Sequence, residues 1–367
     1  MTFDGIVEGH DGEIFGLAFT PDGVTIATAG WDGFLRFWDP TSATPLSKLR
    51  ASSKPLSAVT ISPDGKHYLT GSMEGILTFW DTATQQPMES TVAHTRPIAG
   101  IRFSADSRLL ATAGWDRQIQ LRKLDSKHRD VKTLNGHQDI LAGCAFFPDG
   151  KELLSWGADG TLRIWDTGTG RETHALAAHE DRVTAAALSP DGALALSGSR
   201  NGKIKLWDLK ERREVISLAL GTEIRGIFFL LDAESAIAVD SAGSVVLLSL
   251  PTFQVESEIE VGHKVMCADL SPSGTQLALG GEDGYLYLVS IQGEVSAPLY
   301  VTPQRTRKAA TGLLNRWFRG LTSLDAFEVT CPRCRTINEM RSLPEKPISC
   351  RSCGQSLRLN AKAVAVG

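Results

Sequence analysis

Short runs of alternating apolar and polar residues fill the first 300 positions of the chain. In the first unit, residues 14–20, 24–29 and 34–38 predict three strands, and residues 45–51 predict a fourth after a polar loop. Pro21-Asp22-Gly23 separates the first two strands, because proline presets φ for a turn and glycine accepts a positive φ. No helical period appears before residue 300. The pattern therefore predicts sheets built from units of four strands.

The four-strand unit recurs seven times along the chain. Its first turn begins at residues 21, 63, 105, 148, 190, 231 and 272, a spacing of about 42 residues. Its third strand ends on a Trp-Asp pair in four copies, at residues 38, 80, 165 and 207. Repeats of this length that cannot bury a core alone are typical of stacked or ring-shaped folds.

Gly9-His10 opens the first unit and Trp38-Asp39 ends its third strand, and these marks resemble those of the WD40 family. The resemblance covers roughly residues 3–300 and implies an all-β fold, a seven-bladed WD40 β-propeller. In that family a histidine, a Ser or Thr, an Asp and a Trp form a hydrogen-bonded network inside each blade. The resemblance assigns these structural tetrads to His10, Thr28, Asp32 and Trp38, and to His137, Ser155, Asp159 and Trp165.

The other copies keep the tetrad only in part. The third copy has Arg122 at the tryptophan position, and the fifth has Asn201 at the aspartate position. The second copy lacks the histidine, and the sixth has lost the whole set. The seventh keeps His263 and Asp283. We therefore expect blades one and four to be the most rigid and blade six the most plastic. The histidines lie on separate blades, so they are interpreted as structural rather than as a metal or catalytic cluster.

Two segments are candidates for the last strand of the ring. A propeller removes its exposed edges by closing. Residues 3–8 precede the first unit where a fourth strand is needed, and residues 295–301 follow the seventh unit at the right distance. The N-terminal segment is favoured.

Charge divides the chain into an acidic body and a basic tail. Residues 302–367 contain twelve Lys or Arg and four Asp or Glu, which gives a net charge of +8. Because the whole chain has a net charge of −4, residues 1–301 have a net charge of −12. Residues 302–325 are predicted to be a basic linker. Within it, residues 309–318 could form one short helix that either binds a membrane surface or partner, or packs on the propeller. The two parts are expected to differ in their partners, or to bind each other.

The tail contains two C-x-x-C pairs separated by fifteen residues. Thiolates at this spacing suit tetrahedral Zn²⁺, so residues 326–360 resemble a zinc ribbon, followed by a short tail at 361–367. With every position filled by cysteine, one structural Zn²⁺ is expected; a redox dithiol pair or iron ligation are the alternatives. The predicted ligands are Cys331, Cys334, Cys350 and Cys353.

One end of the propeller is the predicted partner-binding face, because the family holds peptides or proteins there. The residue before each hairpin aspartate should lie on that face, which places two tryptophans on exposed loops; tryptophan is enriched at interface hot spots. They could instead be covered by neighbouring loops or the tail. Trp156 is expected to pack between blades. The predicted partner contacts are Trp31, Trp115, Met73, Arg200 and Phe15.

The sequence contains no recognisable catalytic constellation, and a hydrolase using carboxylates at the channel mouth is the remote alternative. We expect a non-enzymatic scaffold for protein partners, with residues 1–301 as the propeller and the zinc ribbon as a second docking module. The alternative is an adaptor whose basic ribbon and linker contact RNA or DNA.

No apolar run is long enough to span a bilayer, and no small-molecule substrate is evident. Four of six cysteines in C-x-x-C pairs, and no secretory signal, favour the cytoplasm.

Overall fold

The structure is a computed structural model of the 367-residue chain. It describes residues 1–124 and 130–291 and, beyond them, six short strands between residues 299 and 359. Contacts divide the chain into two compact units, Met1–Gly293 and Glu294–Gly367.

The first unit consists of seven four-stranded antiparallel sheets, which confirms the predicted seven-bladed all-β propeller. Each blade is named by its number in chain order, and its strands run from the innermost to the outermost. Blade 1 contains β2 (Ile14–Phe19), β3 (Ile26–Gly30), β4 (Phe34–Asp39) and β5 (Thr44–Arg50). Blade 2 contains β6 (Leu56–Ile61), β7 (His67–Ser72), β8 (Ile76–Asp81) and β9 (Pro87–Val92). Blade 3 contains β10 (Ile98–Phe103), β11 (Leu109–Gly114), β12 (Gln118–Lys123) and β13 (Val131–Asn135).

The remaining blades repeat the order. Blade 4 contains β14 (Leu141–Phe146), β15 (Glu152–Gly157), β16 (Thr161–Asp166) and β17 (Glu172–Ala177). Blade 5 contains β18 (Val183–Leu188), β19 (Leu194–Ser199), β20 (Lys203–Asp208) and β21 (Arg213–Ala219). Blade 6 contains β22 (Ile224–Phe229), β23 (Ser235–Asp240), β24 (Ser244–Ser249) and β25 (Gln254–Glu260). Blade 7 contains β26 (Val265–Leu270), β27 (Gln276–Gly281) and β28 (Tyr285–Ser290), and its outer strand is β1 (Thr2–Glu8).

The ring closes through its N-terminal strand. β1 pairs antiparallel with β28, from Thr2 opposite Ser290 to Glu8 opposite Tyr285. The favoured prediction for ring closure is therefore confirmed. The competing segment contributes β29 (Leu299–Val301), which pairs instead with β34 (Ser356–Leu359) in the second unit.

The hydrophobic core lies between neighbouring blades. One cluster, for example, joins blades 5 and 6 through buried Leu196, Ile204, Ile227 and Val246. The inner strands approach closely enough to exclude side chains: a Cβ on Gly16 would lie 2.7 Å from the backbone nitrogen of Val59 in the next blade. Small residues at this position therefore determine how tightly the ring packs.

The second strand of blade 1 begins at Ile26, two residues later than predicted. Asp22 Oδ1 accepts hydrogen bonds from Thr20 Oγ1 at 2.6 Å and from the Val24 backbone N–H at 3.1 Å. This side-chain turn extends the loop and leaves Val24 61% exposed. The apolar side chain of Val24 suggests a strand position, but the hydrogen bonds of the Asp and Thr side chains compete with the strand ladder there.

The second unit contains two three-stranded sheets among its described residues. One joins β29, β34 and β33 (Ile348–Ser349), and the other joins β30 (Gln304–Thr306), β31 (Ala326–Thr330) and β32 (Ile337–Met340). The four predicted zinc ligands and the predicted helix at 309–318 lie outside the described residues. The predicted linker and ribbon boundaries stay predictions.

Candidate functional site: the loop face and the channel mouth

The tetrad of blade 1 is a continuous buried hydrogen-bond network. Trp38 Nε1 donates to Thr28 Oγ1 at 2.9 Å, and that hydroxyl lies 2.8 Å from His10 Nε2. His10 Nδ1 lies 2.8 Å from Asp32 Oδ1. An indole can only donate, so the hydroxyl is free to donate to Nε2, and Nδ1–H points to the carboxylate. Burial lowers the pKa of His10, more than Asp32 raises it, so the imidazole stays neutral.

Blade 4 has the same network. His137 Nε2 lies 2.8 Å from Ser155 Oγ, which also accepts from Trp165 Nε1 at 2.8 Å. His137 Nδ1 lies 2.9 Å from Asp159 Oδ2. Burial acts to raise the pKa of Asp159, but hydrogen bonds from His137 and the Gln138 backbone outweigh it and hold the pKa far below its usual range. A buried carboxylate is thus kept ionised by its donors.

The degenerate tetrads differ from the full ones in specific bonds. In blade 5, His179 Nε2 lies 2.7 Å from Ser197 Oγ, whereas its buried Nδ1 has no hydrogen-bond partner among the residues described. Asn201 does not replace the aspartate there, because its Oδ1 accepts from Ser199 Oγ at 2.6 Å. In blade 3, Arg122 occupies the tryptophan position and donates to Gln120 Oε1 at 2.8 Å.

Blades 6 and 7 contain substitute networks that the repeat pattern did not predict. In blade 6, Thr222 stands at the histidine position and its hydroxyl donates to the buried Asp240, which also accepts the Ser244 backbone N–H at 2.8 Å. In blade 7, Tyr287 donates to Asp283 and stacks on His263 at 5.0 Å between ring centroids. Blade 6 has thus lost the family residues but not its buried polar bonding.

Seven equivalent backbone hydrogen bonds define one end of the propeller, which we call the loop face. Each joins the N–H of the residue before the hairpin aspartate position to the carbonyl of the residue before the inner strand. In chain order, these donor and acceptor residues are Trp31 and Glu13, Met73 and Pro55, Trp115 and Pro97, Ala158 and Ile140, Arg200 and Arg182, Ser241 and Glu223, and Glu282 and Lys264.

The five predicted contact residues all lie on this face or directly below it. Trp31 is 49% exposed and Trp115 is 40% exposed. Phe15 packs against Trp31, with 5.8 Å between ring centroids. Met73 is half-buried and Arg200 is exposed. Trp156, predicted to pack between blades, is 6% exposed and lies within 2.5 Å of where a Cβ on Gly143 would be.

The channel opens at the loop face as a cavity of about 540 Å³. Phe15, Met73, Trp115 and Arg200 line it, whereas Trp31 is not among the lining residues. The wall also contains residues that the sequence did not point to, namely Arg102, Arg182, Glu223 and Arg225. Arg182 and Glu223 could have been found from sequence by counting one residue back from each inner strand, as the seven equivalent bonds show.

The part of the chain that the structure describes contains no group of three or more His, Cys, Asp or Glu residues placed to hold a metal ion. The predicted zinc ligands lie outside it. Burial raises the pKa of the Cys144 and Cys267 thiols to about 12, so both are neutral at physiological pH and behave as small apolar residues. No helix in that same part of the chain is long and apolar enough to span a membrane.

Comparison with known proteins agrees with the repeat architecture. The model of the WD domain, G-beta repeat, matches residues 2–39, 43–81, 85–122, 128–166, 170–208 and 256–290, more than half of the chain. Most of blade 6 falls outside these matches, in agreement with its lost tetrad.

Individual relatives match over short stretches. Nuclear distribution protein nudF of Aspergillus flavus is 37% identical over 62 residues, 17% of this chain and 14% of that protein. Nuclear distribution protein PAC1 of Gibberella zeae is 42% identical over 60 residues, 16% of this chain and 13% of that protein. Periodic tryptophan protein 2 of Arabidopsis thaliana is 38% identical over 61 residues, 17% of this chain and 7% of that protein. The chain thus spans about a seventh or less of these relatives' lengths, but the repeats and the seven blades show that it belongs to the WD40 family.

Proposed function

We propose that this protein is a non-enzymatic scaffold that holds protein partners on the loop face of its propeller. The observation that carries the proposal is the pair of exposed tryptophans, Trp31 and Trp115, beside an open cavity of about 540 Å³. Exposing the large apolar surface of a tryptophan to water is unfavourable, and tryptophan is enriched where proteins bind partners. Membership of the WD40 family agrees with a role in protein interaction, and it indicates no catalytic family.

The architecture also separates stability from binding. The tetrads lie inside the blades, whereas Met73 and Trp115 line the cavity and Trp31 lies on the same loop face. Substitution on the loop face should therefore leave the core unchanged. The matches to nuclear distribution proteins each cover about 60 residues, so they support the repeat and not a shared partner.

Replacing Trp31 and Trp115 together with alanine should abolish recovery of the partner while leaving the propeller folded. Interface tryptophans contribute about 2 kcal/mol or more each, so the double variant should lose binding by at least about a hundredfold. Affinity purification followed by quantitative mass spectrometry gives the readout, and thermal unfolding checks the fold.

Met88→Ala is the matched control, because Met88 is 59% exposed but lies on the outer strand β9, away from the loop face. It should retain all partners. If the double tryptophan variant recovers the same partners as the parent protein, the loop face does not hold them.

We also propose that the tail is a zinc ribbon acting as a second docking module in the cytoplasm. The spacing of Cys331, Cys334, Cys350 and Cys353 supports one structural Zn²⁺. A chelator should release about one zinc per chain and make residues 326–360 sensitive to protease, because metal binding supplies most of the folding energy of so small a unit. Elemental analysis without zinc, or a protease-resistant tail after chelation, would exclude the ribbon.

The net charge of +8 on residues 302–367 supports a second candidate, contact of the tail with RNA or DNA. Phosphate contacts release counterions, so such binding should weaken steeply with salt. A gel shift with the full chain and with the chain ending at residue 301, at two salt concentrations, distinguishes the candidates. A shift that needs the tail and disappears at the higher salt favours the nucleic-acid role.

A further inference from the structure

The loop face is divided into an apolar half and a charged half. In blades 2 to 4 the paired residues of the face are uncharged: Pro55 and Met73, Pro97 and Trp115, Ile140 and Ala158. In blades 5 to 7 five of the six are charged: Arg182, Arg200, Glu223, Lys264 and Glu282. Blade 1 is mixed, because Trp31 adjoins the apolar half whereas its paired residue Glu13 is charged. A partner that covers the whole face must therefore match both halves.

Arginines dominate the charge around the cavity. Its wall contains Arg102, Arg182, Arg200 and Arg225, against one glutamate. That glutamate, Glu223, is already paired with Arg225 at 3.1 Å. Arg102, Arg182 and Arg200 are exposed, and none of the three forms an ion pair with another described residue. The cavity thus has an excess of positive charge that is available to a ligand.

One further acid lies next to this wall, and it is already bonded. Asp269 on β26 accepts the Phe19 backbone N–H at 2.9 Å. Burial raises the pKa of Asp269 to about 6, more than that bond and Arg102 lower it. Asp269 therefore offsets only part of the charge of Arg102. Beside Arg182, the Asp181 carboxylate accepts the Arg182 backbone N–H at 2.7 Å but makes no ion pair with its guanidinium among the described residues.

Unpartnered donors line the same cavity. Trp156 is 6% exposed and Ser57 is 9% exposed, and neither Trp156 Nε1 nor Ser57 Oγ has a hydrogen-bond partner within the part of the chain that the structure describes. The buried Nε of Arg225 is also without one. Buried polar atoms are normally bonded, so each such atom calls for an explanation. All three atoms are donors, but each is shielded from solvent, so a ligand in the cavity would contact the side chains that carry them rather than the atoms themselves.

We propose that the loop face binds an acidic segment of a protein partner, with its carboxylates against Arg182 and Arg200 and a neighbouring aromatic or aliphatic side chain against Trp115 and Met73. The inference rests on the proposed function, and it names the chemistry of the partner. Arginine is well suited to carboxylates because its planar guanidinium can donate two parallel hydrogen bonds. The apolar half supplies the adjoining contact.

A protein segment fits the face better than a nucleic acid does. The first 301 residues carry a net charge of −12, which repels an extended polyanion. Glu13, Glu223 and Glu282 also stand on the loop face, so positive charge is confined to one sector. A short acidic stretch can occupy that sector alone, whereas a phosphate backbone would have to cross the acidic positions.

The test uses the full chain and an array of short peptides in which two glutamates adjoin one phenylalanine in every order. A second array replaces the glutamates with glutamines. The protein should bind a subset of the acidic array and not the matching amides. Arg182→Gln with Arg200→Gln should weaken that binding at least about tenfold, and higher salt should weaken it further. Fluorescence anisotropy with the best acidic peptide gives the affinities.

The control is Arg213→Gln, which removes the same charge from the outer strand β21 of the same blade and should leave the affinity unchanged. Equal binding to both arrays, or unchanged affinity in the double arginine variant, would overturn the proposal. So would displacement of the best peptide by equimolar single-stranded RNA. If the tryptophan variant loses its cellular partners but the arginine variant retains them, the scaffold stands and the acidic ligand is wrong.

Discussion

Replacing His137 with alanine should lower the free energy of unfolding of the propeller by about 3 kcal/mol. The change removes the partner of Ser155 Oγ at 2.8 Å and of Asp159 Oδ2 at 2.9 Å. The Asp159 side chain is only 7% exposed, so its buried charge would keep only the donors of Gln138 and Thr161 and the more distant Arg163 at 3.8 Å. Chemical denaturation followed by tryptophan fluorescence measures the loss, and partner recovery should stay close to that of the parent.

His179→Ala in blade 5 is the matched comparison. His179 bonds Ser197 but has no partner at Nδ1, and no aspartate depends on it. Its replacement should cost clearly less, about 1 kcal/mol. Equal losses in the two variants would show that the carboxylate bond contributes nothing. A stable His137 variant that has lost its partner would contradict the structural role of the tetrad.

Deleting residues 1–8 should destabilise the propeller by more than about 5 kcal/mol, because it removes the strand that closes the ring. Six residue pairs join β1 to β28, and each backbone bond is worth about 1 kcal/mol. The deletion also exposes the edge of β28, which favours pairing with other chains. Denaturation curves and light scattering should show an unstable protein that aggregates. A synthetic peptide of residues 1–8 added in excess should restore both.

Deleting residues 295–301 is the control, because that segment was the alternative for ring closure. Its strand β29 pairs with β34 and not with blade 7, so propeller stability should stay unchanged. If this deletion opens the ring and the N-terminal one does not, the closure described above is wrong.

Much of the fold follows from the sequence, because each blade repeats the same local signals. Pro-Asp-Gly turns and alternating apolar residues recur at a fixed period, so a turn or strand that is unclear in one copy can be predicted from the other six. The first and last residues of individual strands follow less directly from the sequence. Val24 is apolar, yet the turn held by Asp22 keeps it outside its strand, and only the geometry of that turn reveals this.

Blade 6 shows where comparison of the repeats fails. A Cβ on Gly30 of blade 1 would lie 2.2 Å from His10 Nδ1, so the histidine requires glycine there. In blade 6 the smaller Thr222 replaces the histidine, and Asp240 occupies the glycine position and bonds it. When blade 6 is aligned with the tetrad of the other blades, this hydrogen-bonded network is therefore counted as lost. The substitution conserves a buried polar bond by moving the acid from the hairpin turn to the last residue of the second strand.

The candidate site divides in the same way. Periodicity determined that the unit occurs seven times and that Trp31, Met73, Trp115 and Arg200 occupy equivalent positions, and the resemblance to the WD40 family implied that the tetrads lie inside blades. Only the tertiary structure placed Arg102, Arg225, Ser57 and Trp156 around one cavity with the loop residues, and showed which of their donors have no partner. The physical reason is that a repeat fixes where a residue lies within its blade. The composition of the channel wall depends on which side chains seven separate blades bring to one axis.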